Sequence, residues 1–181
     1  MKRRHAPVLA TERLVLRPPR GSDREAMARG LNDAGVARML ARVPWPYTLA
    51  DADRFLAMAA AEDARHDFTR IIERDGRAIG CISLGEMPRV VELGYWLARD
   101  SWGFGLATEA ARALIAHAFG ALGLRLVRSG VFADNPASLR VQVKLGFRPV
   151  GRSLRRSLAR GSLVAHIDTV LTPARFRQAG P

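Results

Sequence analysis

Residues 92–113 read E-L-G-Y-W-L-A-R-D-S-W-G-F-G-L-A-T-E-A-A-R-A: a strand-like run from Glu92 to Leu97, a glycine loop around Gly103 and Gly105, and an alanine-rich helix. That order makes an anion site. The start of a helix leaves N–H groups unpaired and carries a partial positive charge, and glycines just ahead of it let a phosphate approach the backbone closely. The predicted ligand therefore carries phosphates.

What the loop lacks narrows the class. No G-x-x-x-x-G-K-[ST] is present, so no lysine or magnesium-binding hydroxyl stands ready for a nucleoside triphosphate. The spacing of Gly103, Gly105 and Ala107 also misses the three-glycine dinucleotide pattern, and repeated βαβ units are not apparent around it. Alone, a G-x-G before a helix is also compatible with a tight strand-to-helix turn.

About thirty residues further on comes D-N-P-A-S-L-R-V-Q-V-K-L-G-F, from Asp134 to Phe147. Together the two segments resemble the general N-acetyltransferase (GNAT) superfamily. Within it, T-E-R-L-V-L-R-P-P from Thr11, P-W-P-Y-T around Trp45, the E-L-G-Y-W-L strand and the final K-L-G-F resemble the Rim-type N-terminal acetyltransferases that modify ribosomal proteins. The resemblance runs from Thr11 to about Thr172. It implies an α/β fold of the GNAT acyltransferase kind, with a mixed, splayed sheet flanked by helices.

Composition fits one domain spanning 1–181, with its core at about 11–172. The 181 residues are 48% hydrophobic and 25% charged, enough to bury a core. No apolar run approaches the roughly 18 residues of a membrane span, and Met-Lys-Arg-Arg-His is not followed by a signal segment, so a cytoplasmic protein is expected. The lone Cys81 fits a reducing compartment. The net charge of +12 invites a nucleic-acid reading, but the arginines are scattered from Arg3 to Arg177, and only Arg152, Arg155, Arg156 and Arg160 form a dense run. Of the 29 basic residues only Lys2 and Lys144 are lysine, which points to coding bias and away from a designed charged surface.

Along the chain, Arg13–Arg17 alternates as a first strand, and Ser22 caps a predicted helix through Asn32. Pro44 and Pro46 interrupt. Thr48 and Asp51 then have capping-box-like spacing before a helix expected to end near Arg65. Phe68–Glu73, Arg77–Leu84 and Val90–Leu97 read as three antiparallel strands, the first two joined at Asp75-Gly76. Ala107, Ala110, Ala111, Leu114, Ala118 and Leu122 repeat at helical spacing, and Gly120 and Gly123 end that helix. Leu124–Ala133 follows as a strand, parallel to its predecessor if the helix is a crossover. Asn135 reads as an N-cap and Pro136 as the first residue of a helix stopping at Gly146. Phe147–Val150 and Leu163–Thr172 close the domain as strands, with the arginine-rich segment between them.

The resemblance implies that acetyl-CoA is the co-substrate and no metal is used. Its pyrophosphate would lie over Trp102, Gly103, Phe104, Gly105, Leu106 and Ala107, and its pantetheine arm beside Leu97 and Ala98. Against the family's Q/R-x-x-G-x-G/A loop, Trp102 takes the first position, and Phe104 stands where a basic residue is frequent; that departure weakens side-chain contacts and leaves the backbone amides untouched. By the same resemblance Asn135 contacts pantetheine and Ser138 lies near the sulfur as candidate general acid. An N-cap role for Asn135 and a plain first-turn serine at Ser138 remain as structural alternatives. Glu92 is the candidate base, with ammonium binding or a structural hydrogen bond as its alternatives. An α-amine is about 10 to 15% neutral at pH 7 and a lysine amine below about 0.1%, so a protein N-terminus asks far less of a base.

Trp45 and Tyr47 line the acceptor groove or anchor their loop on the core. Cys81, in A-I-G-C-I-S-L, reads as a core thiol and is expected to be dispensable. His5, His66, His117 and His166 show neither metal-ligand spacing nor a nucleophile partner. The expected activity is acetyl transfer to a primary amine by direct attack in a ternary complex, with a protein N-terminal α-amine as acceptor and a ribosomal protein as a candidate partner. Small amines or antibiotics, a CoA-binding regulator without turnover, and a ribosome- or RNA-associated module are the alternatives. Either a monomer or a homodimer is compatible with the sequence.

Overall fold

A computed structural model describes residues 7–61, 68–87 and 90–180. One eight-stranded sheet runs through it in the order β1-β2-β3-β4-β5-β6-β8-β7. The strands are β1 (Leu9–Ala10), β2 (Val15–Arg17), β3 (Phe68–Arg74), β4 (Arg77–Met87), β5 (Val90–Leu97), β6 (Val127–Phe132), β7 (Arg148–Ser157) and β8 (Ser162–Leu171). The helices are α1 (Arg24–Leu31), α2 (Ala34–Ala37), α3 (Leu49–Ala61), α4 (Leu106–Gly120), α5 (Pro136–Lys144) and α6 (Pro173–Gln178).

The three expected strands pair antiparallel as β3, β4 and β5. Asp75 and Gly76, both at positive φ, make the tight turn between the first two. The helix α4 crosses over to β6, which pairs with β5 in parallel, as the crossover reading requires. Side chains alternate across the sheet and produce two cores. On one face Leu93 and Leu97 of β5 pack with Leu106, Ala110, Leu114 and Ala118 of α4. The small residues of α4 permit that close approach. On the other face Ile71 and Cys81 pack with Met27, Leu31, Val36, Tyr47 and Ala52 from the α1–α3 side.

Several boundaries differ from the sequence expectation. Ser22 does not cap α1. Residues Gly21–Asp23 form a 3-10 turn in which the Asp23 carboxylate accepts the Arg20 N–H at 2.7 Å and pairs with buried Arg17, so the α-helix starts at Arg24. The Thr48–Asp51 box does form: the Thr48 N–H donates to Asp51 at 2.7 Å and the Asp51 N–H to Thr48 at 3.2 Å. The expected end of α3 near Arg65 lies outside the described residues. The largest difference is β7, which runs through Arg152, Arg155 and Arg156 as a ten-residue edge strand. Outward charges on an edge strand prevent sheet-to-sheet association and also disguise the strand as a loop.

Candidate functional site: a splayed gap between two faces

The parallel ladder between β5 and β6 has only two registered pairs, Val91 with Val127 and Glu92 with Arg128. At the next rung the Ser129 hydroxyl donates to the Leu93 carbonyl at 2.8 Å, replacing a backbone bond. Gln142 of α5 holds that hydroxyl, donating to Ser129 Oγ at 2.8 Å and to the Gly130 carbonyl at 3.3 Å, while Thr169 of β8 donates to Gln142 Oε1 at 2.7 Å. These side chains are buried and mutually satisfied, so the point of divergence is fixed by a connected polar network. Beyond it the strands separate. Ala98 N–H turns toward β4, where it donates to Ile79; backbone alternation therefore aims the N–H and C=O of Tyr95 into the gap. An extended ligand carrying amides can occupy that edge as an added strand.

The gap ends at the predicted anion loop. Gly103 and Gly105 have φ of 85° and 77°, a conformation that glycine adopts at little cost. Gly105 is the residue ahead of α4, and the first bond into the helix runs from Glu109 N–H to Gly105 C=O at 3.1 Å. Leu106, Ala107 and Thr108 amides precede that bond and are the orphan donors of the helix start. Residues 102–105 are exposed, so nothing covers them. The Phe104 ring is 59% exposed and takes no part in shaping the cradle. Trp102 donates from its indole to the Leu97 carbonyl at 2.8 Å, which ties the loop to the end of β5.

Arg13 also holds the loop, a role the sequence did not reveal. Its guanidinium donates to the Phe104 carbonyl at 3.1 Å and pairs with Glu109 at 2.6 Å. Burial alone would push the Glu109 carboxyl up, but hydrogen bonds from Thr11 and Arg13 bring it below its ordinary value, so the clasp stays ionised. An open cleft of about 670 Å³ adjoins Gly105, lined in part by Thr108, Arg112 and Lys144. It lies beside the anion loop and does not reach the gap chemistry. The Arg112 guanidinium is already turned to the Lys144 and Gly180 carbonyls, which leaves Lys144 as the cation in that cleft able to meet an external phosphate.

Asn135 does cap α5: its Oδ1 accepts the Ser138 N–H at 3.1 Å. The Ser138 hydroxyl is 2.7 Å from the Tyr95 hydroxyl, joining α5 to β5 on the α4–α5 face. Burial pushes the Tyr95 phenol up to about 12, with the Ser138 bond pulling weakly the other way, so the pair is fully protonated at neutral pH. Either hydroxyl can be the donor in this contact. Tyr95 was visible in E-L-G-Y-W-L, but its partner required the tertiary fold.

Glu92 lies on the opposite face of the sheet. Its Oε1 accepts from Arg155 of β7 at 2.9 Å, and Oε2 has no partner among the described residues. Gly94, next on that face, is exposed and leaves the approach to the gap open. Arg155 also approaches Asp168 of β8 at 3.7 Å, and Asp168 Oδ1 is 2.9 Å from His166 Nδ1 and accepts from Ser153 at 3.2 Å. The turn after β7 closes this face at one end: the Leu158 N–H donates to Ala41, while Arg160 reaches the Arg38 carbonyl at 2.7 Å and Asp134 at 2.9 Å. Alternation in A-H-I-D puts His166 and Asp168 on one side of β8, and this was the available sequence signal for them.

Of the loop aromatics, Tyr47 is buried in the second core, where burial raises its phenol to about 12. It anchors the loop and does not line an open groove. Trp45 is half exposed and its indole donates to the Asn32 carbonyl at 3.1 Å. Among the described residues no group of three or more His, Cys, Asp or Glu side chains could hold a metal. No described helix is long and apolar enough to cross a membrane.

The profile of the acetyltransferase (GNAT) domain matches residues 13–148, well over half of the chain. The chain belongs to the GNAT acetyltransferase family. This acetyltransferase is 29% identical over 150 residues to the uncharacterized N-acetyltransferase YoaA of Bacillus subtilis, covering 80% of this chain and 85% of that one. Its fold resembles RimL, a ribosomal L7/L12 α-N-protein acetyltransferase in complex with coenzyme A: TM-score 0.81, 16% identity, 92% of this chain and 98% of the other. It also resembles spermidine N-acetyltransferase from Vibrio cholerae with CoA and spermine: TM-score 0.78, 16% identity, 92% of this chain and 99% of the other. The acetyltransferase uses acetyl-CoA as co-substrate. The glycine cradle, the orphan amides and the open edge of Tyr95 fit that ligand's phosphates and amides.

Proposed function

We propose that the acceptor is the α-amine of a protein or peptide N-terminus, as in the Rim-type enzymes. One observation carries this reading: Glu92 offers a single unpartnered carboxylate oxygen beside exposed Gly94, with Arg155 on its other oxygen and Arg128 in register with it on β6. Such a site suits one ammonium on an otherwise neutral or acidic body. A polyamine would bring several further positive charges to a chain of net charge +12 and be repelled by it.

Acetyl-CoA supplies the thioester carbonyl. Amides of Gly103 to Ala107 receive its phosphates, Leu97 and Ala98 flank its arm, and Asn135 holds the start of α5 against it. Glu92 Oε2 accepts a hydrogen bond from the entering ammonium and orients it toward the gap. Across the sheet, Ser138 with Tyr95 stands where a departing thiolate needs a proton. The experiment is mass spectrometry of products after incubation with acetyl-CoA and matched acceptors: peptides with acidic, neutral or basic residues behind a free N-terminus, the same peptides α-blocked with a free lysine, and spermidine. α-N-acetylation favouring acidic or neutral peptides is expected. Modification confined to spermidine or lysine would overturn the reading, and thiol release with no acceptor at all would indicate a CoA-binding protein without transfer.

A further inference from the structure

The imidazole of His166 lies flat across β6 at Gly130. A Cβ built on Gly130 would collide with His166 Cε1 and lie 2.8 Å from Nε2, so only glycine leaves room for the ring. Gly130 is two residues beyond Arg128, the last residue of β6 in the parallel ladder, and therefore about 6.6 Å along the strand, where the gap has opened. Nδ1 of the ring is taken by Asp168 at 2.9 Å, and Phe132 stands edge-on at 5.9 Å. Nε2 has no hydrogen-bond partner among the described residues and is not among the fully enclosed polar atoms. An oriented imidazole thus presents one free nitrogen at the rim of the gap, on the same face as Glu92.

We propose that His166, positioned by Asp168, is the proton acceptor for the attacking amine. This rests on the amine-acetylating reading above. The ring has the protonation state that the role needs: burial first of all, with the nearby Arg155 charge, holds it below the ordinary 6.5, opposed by Asp168 and Glu92. Charged groups act on it from the neighbouring strands: Asp168 on its own strand, Arg155 on β7 and Glu92 on β5; further off, Arg128 on β6 is in register with Val170, and Arg160 stacks on the Phe132 ring. It is therefore neutral at pH 7 and able to accept.

The proton balance closes. Of the three protons on the acceptor ammonium, His166 Nε2 takes one and releases it to solvent. The freed nitrogen bonds to the thioester carbonyl carbon, and the C–S bond breaks with its electron pair on sulfur. A second proton leaves that nitrogen for Nε2, by then neutral again, and the Ser138–Tyr95 pair delivers one to the thiolate on the other face and is reprotonated from solvent. The third remains on the amide product. Acceptance on one face and donation on the other keep the base and the acid from neutralising each other.

The test combines an NMR titration of the His166 Cε1–H signal in the protein saturated with CoA and acceptor, a complex that cannot turn over, and the pH dependence of kcat at saturating substrates. The expected result is a titration midpoint below 6.5 that moves further down in Asp168→Asn, and an acid limb of kcat that follows it. His166→Gln should lower kcat ten- to a hundredfold near pH 6.5 and lose that limb, with little change in acceptor KM. If that variant does not fold, Asp168→Asn alone must shift the limb by the same amount as the NMR midpoint. A limb that ignores the His166 midpoint, or His166→Gln with wild-type turnover, overturns the proposal while leaving amine acetylation standing. A wild-type protein that acetylates no amine overturns both.

Discussion

Replacing Gly105 tests the anion loop most directly, because the structure separates two ways in which the substitution could act. A Cβ at Gly105 would meet only Arg13 Nη2, at 3.7 Å, an ordinary contact, so steric collision is not the source of any effect. The cost comes from φ of 77°, where a β-branched residue loses about 1 to 3 kcal/mol. The variant relieves that strain by rotating the backbone, which turns the amides of the α4 start away from the ligand. Wild type should gain about 2.7 kcal/mol at a hundredfold excess of acetyl-CoA over Kd. For a domain of this size that corresponds to a rise in Tm of roughly 5 to 11 °C. Gly105→Val should melt lower without ligand and lose most of the rise; Gly105→Ala should fall between. The assay is a thermal melt across an acetyl-CoA series, with calorimetric titration for Kd. A folded Gly105→Val protein with the wild-type rise would refute the placement of the phosphates, and a flat wild-type series would refute the loop as a ligand site.

Ser138→Ala and Tyr95→Phe should each lower kcat by roughly ten- to a thousandfold with nearly unchanged Kd for acetyl-CoA, and the double variant should be little worse than the singles because the hydroxyls act as a pair; additive losses in stopped-assay kinetics would separate them. Asp23→Asn strips a partner from Arg17, whose side chain is 7% exposed, and should cost about 3 kcal/mol, with Glu73 still bonded to the guanidinium; calorimetry should find Tm about 6 to 12 °C lower. The same pair sets an acid limit. Burial alone would raise the Asp23 carboxyl, but hydrogen bonds from Arg17 and the Arg20 amide hold it below the ordinary 3.8. A depressed folded value gives stability that is complete above about pH 4 and is lost as pH falls toward the folded value, so denaturant titrations below pH 4 should show wild type converging on Asp23→Asn. Cys81→Ala should cost about 1 kcal/mol and retain turnover; an inactive but folded variant would give the thiol a chemical role.

The sequence was most legible where local chemistry and tertiary structure ask for the same residue. Gly103 and Gly105 take the positive φ that the loop reading asks for, Asn135 caps α5 as its residue type predicts, and Asp75-Gly76 make the expected tight turn at positive φ. Where long-range partners set the outcome, local reading failed. Asp23 terminates a 3-10 turn because Arg17, itself paired with Glu73 on the neighbouring strand, reaches it from β2, and Ser22, a good cap by residue type, is left out. β7 looked like a basic loop because its inward positions, Ser153 and Arg155, are polar too. They face a polar site, so the usual apolar alternation is missing.

The same physics explains why one half of the candidate site could be read and the other could not. Residues toward the α4–α5 face come from one continuous passage, from Tyr95 through Ser138, in which loop, helix and cap follow one another along the chain. Residues around His166 come from β5, β6, β7 and β8, and their meeting depends on β8 inserting between β6 and β7. Arg155 of the outer strand β7 reaches Glu92 of β5 across 63 positions of sequence, with β6 and β8 between their strands. A histidine scanned for metal spacing or a neighbouring nucleophile shows neither. Its relevance lies in a glycine on β6, diagonal to it and in register with Asp168, and in that aspartate two residues ahead on its own strand, a pairing of empty space with an oriented ring. Gly130→Ala tests that geometry with His166 itself retained: a Cβ there meets the ring and also the Ile167 carbonyl oxygen at 2.7 Å, so the ring must swing off β6 and the β6–β8 backbone must give with it. Turnover should fall with His166 still titrating in the NMR experiment. Wild-type kcat in Gly130→Ala would mean that the position of the ring over the gap has no part in the reaction.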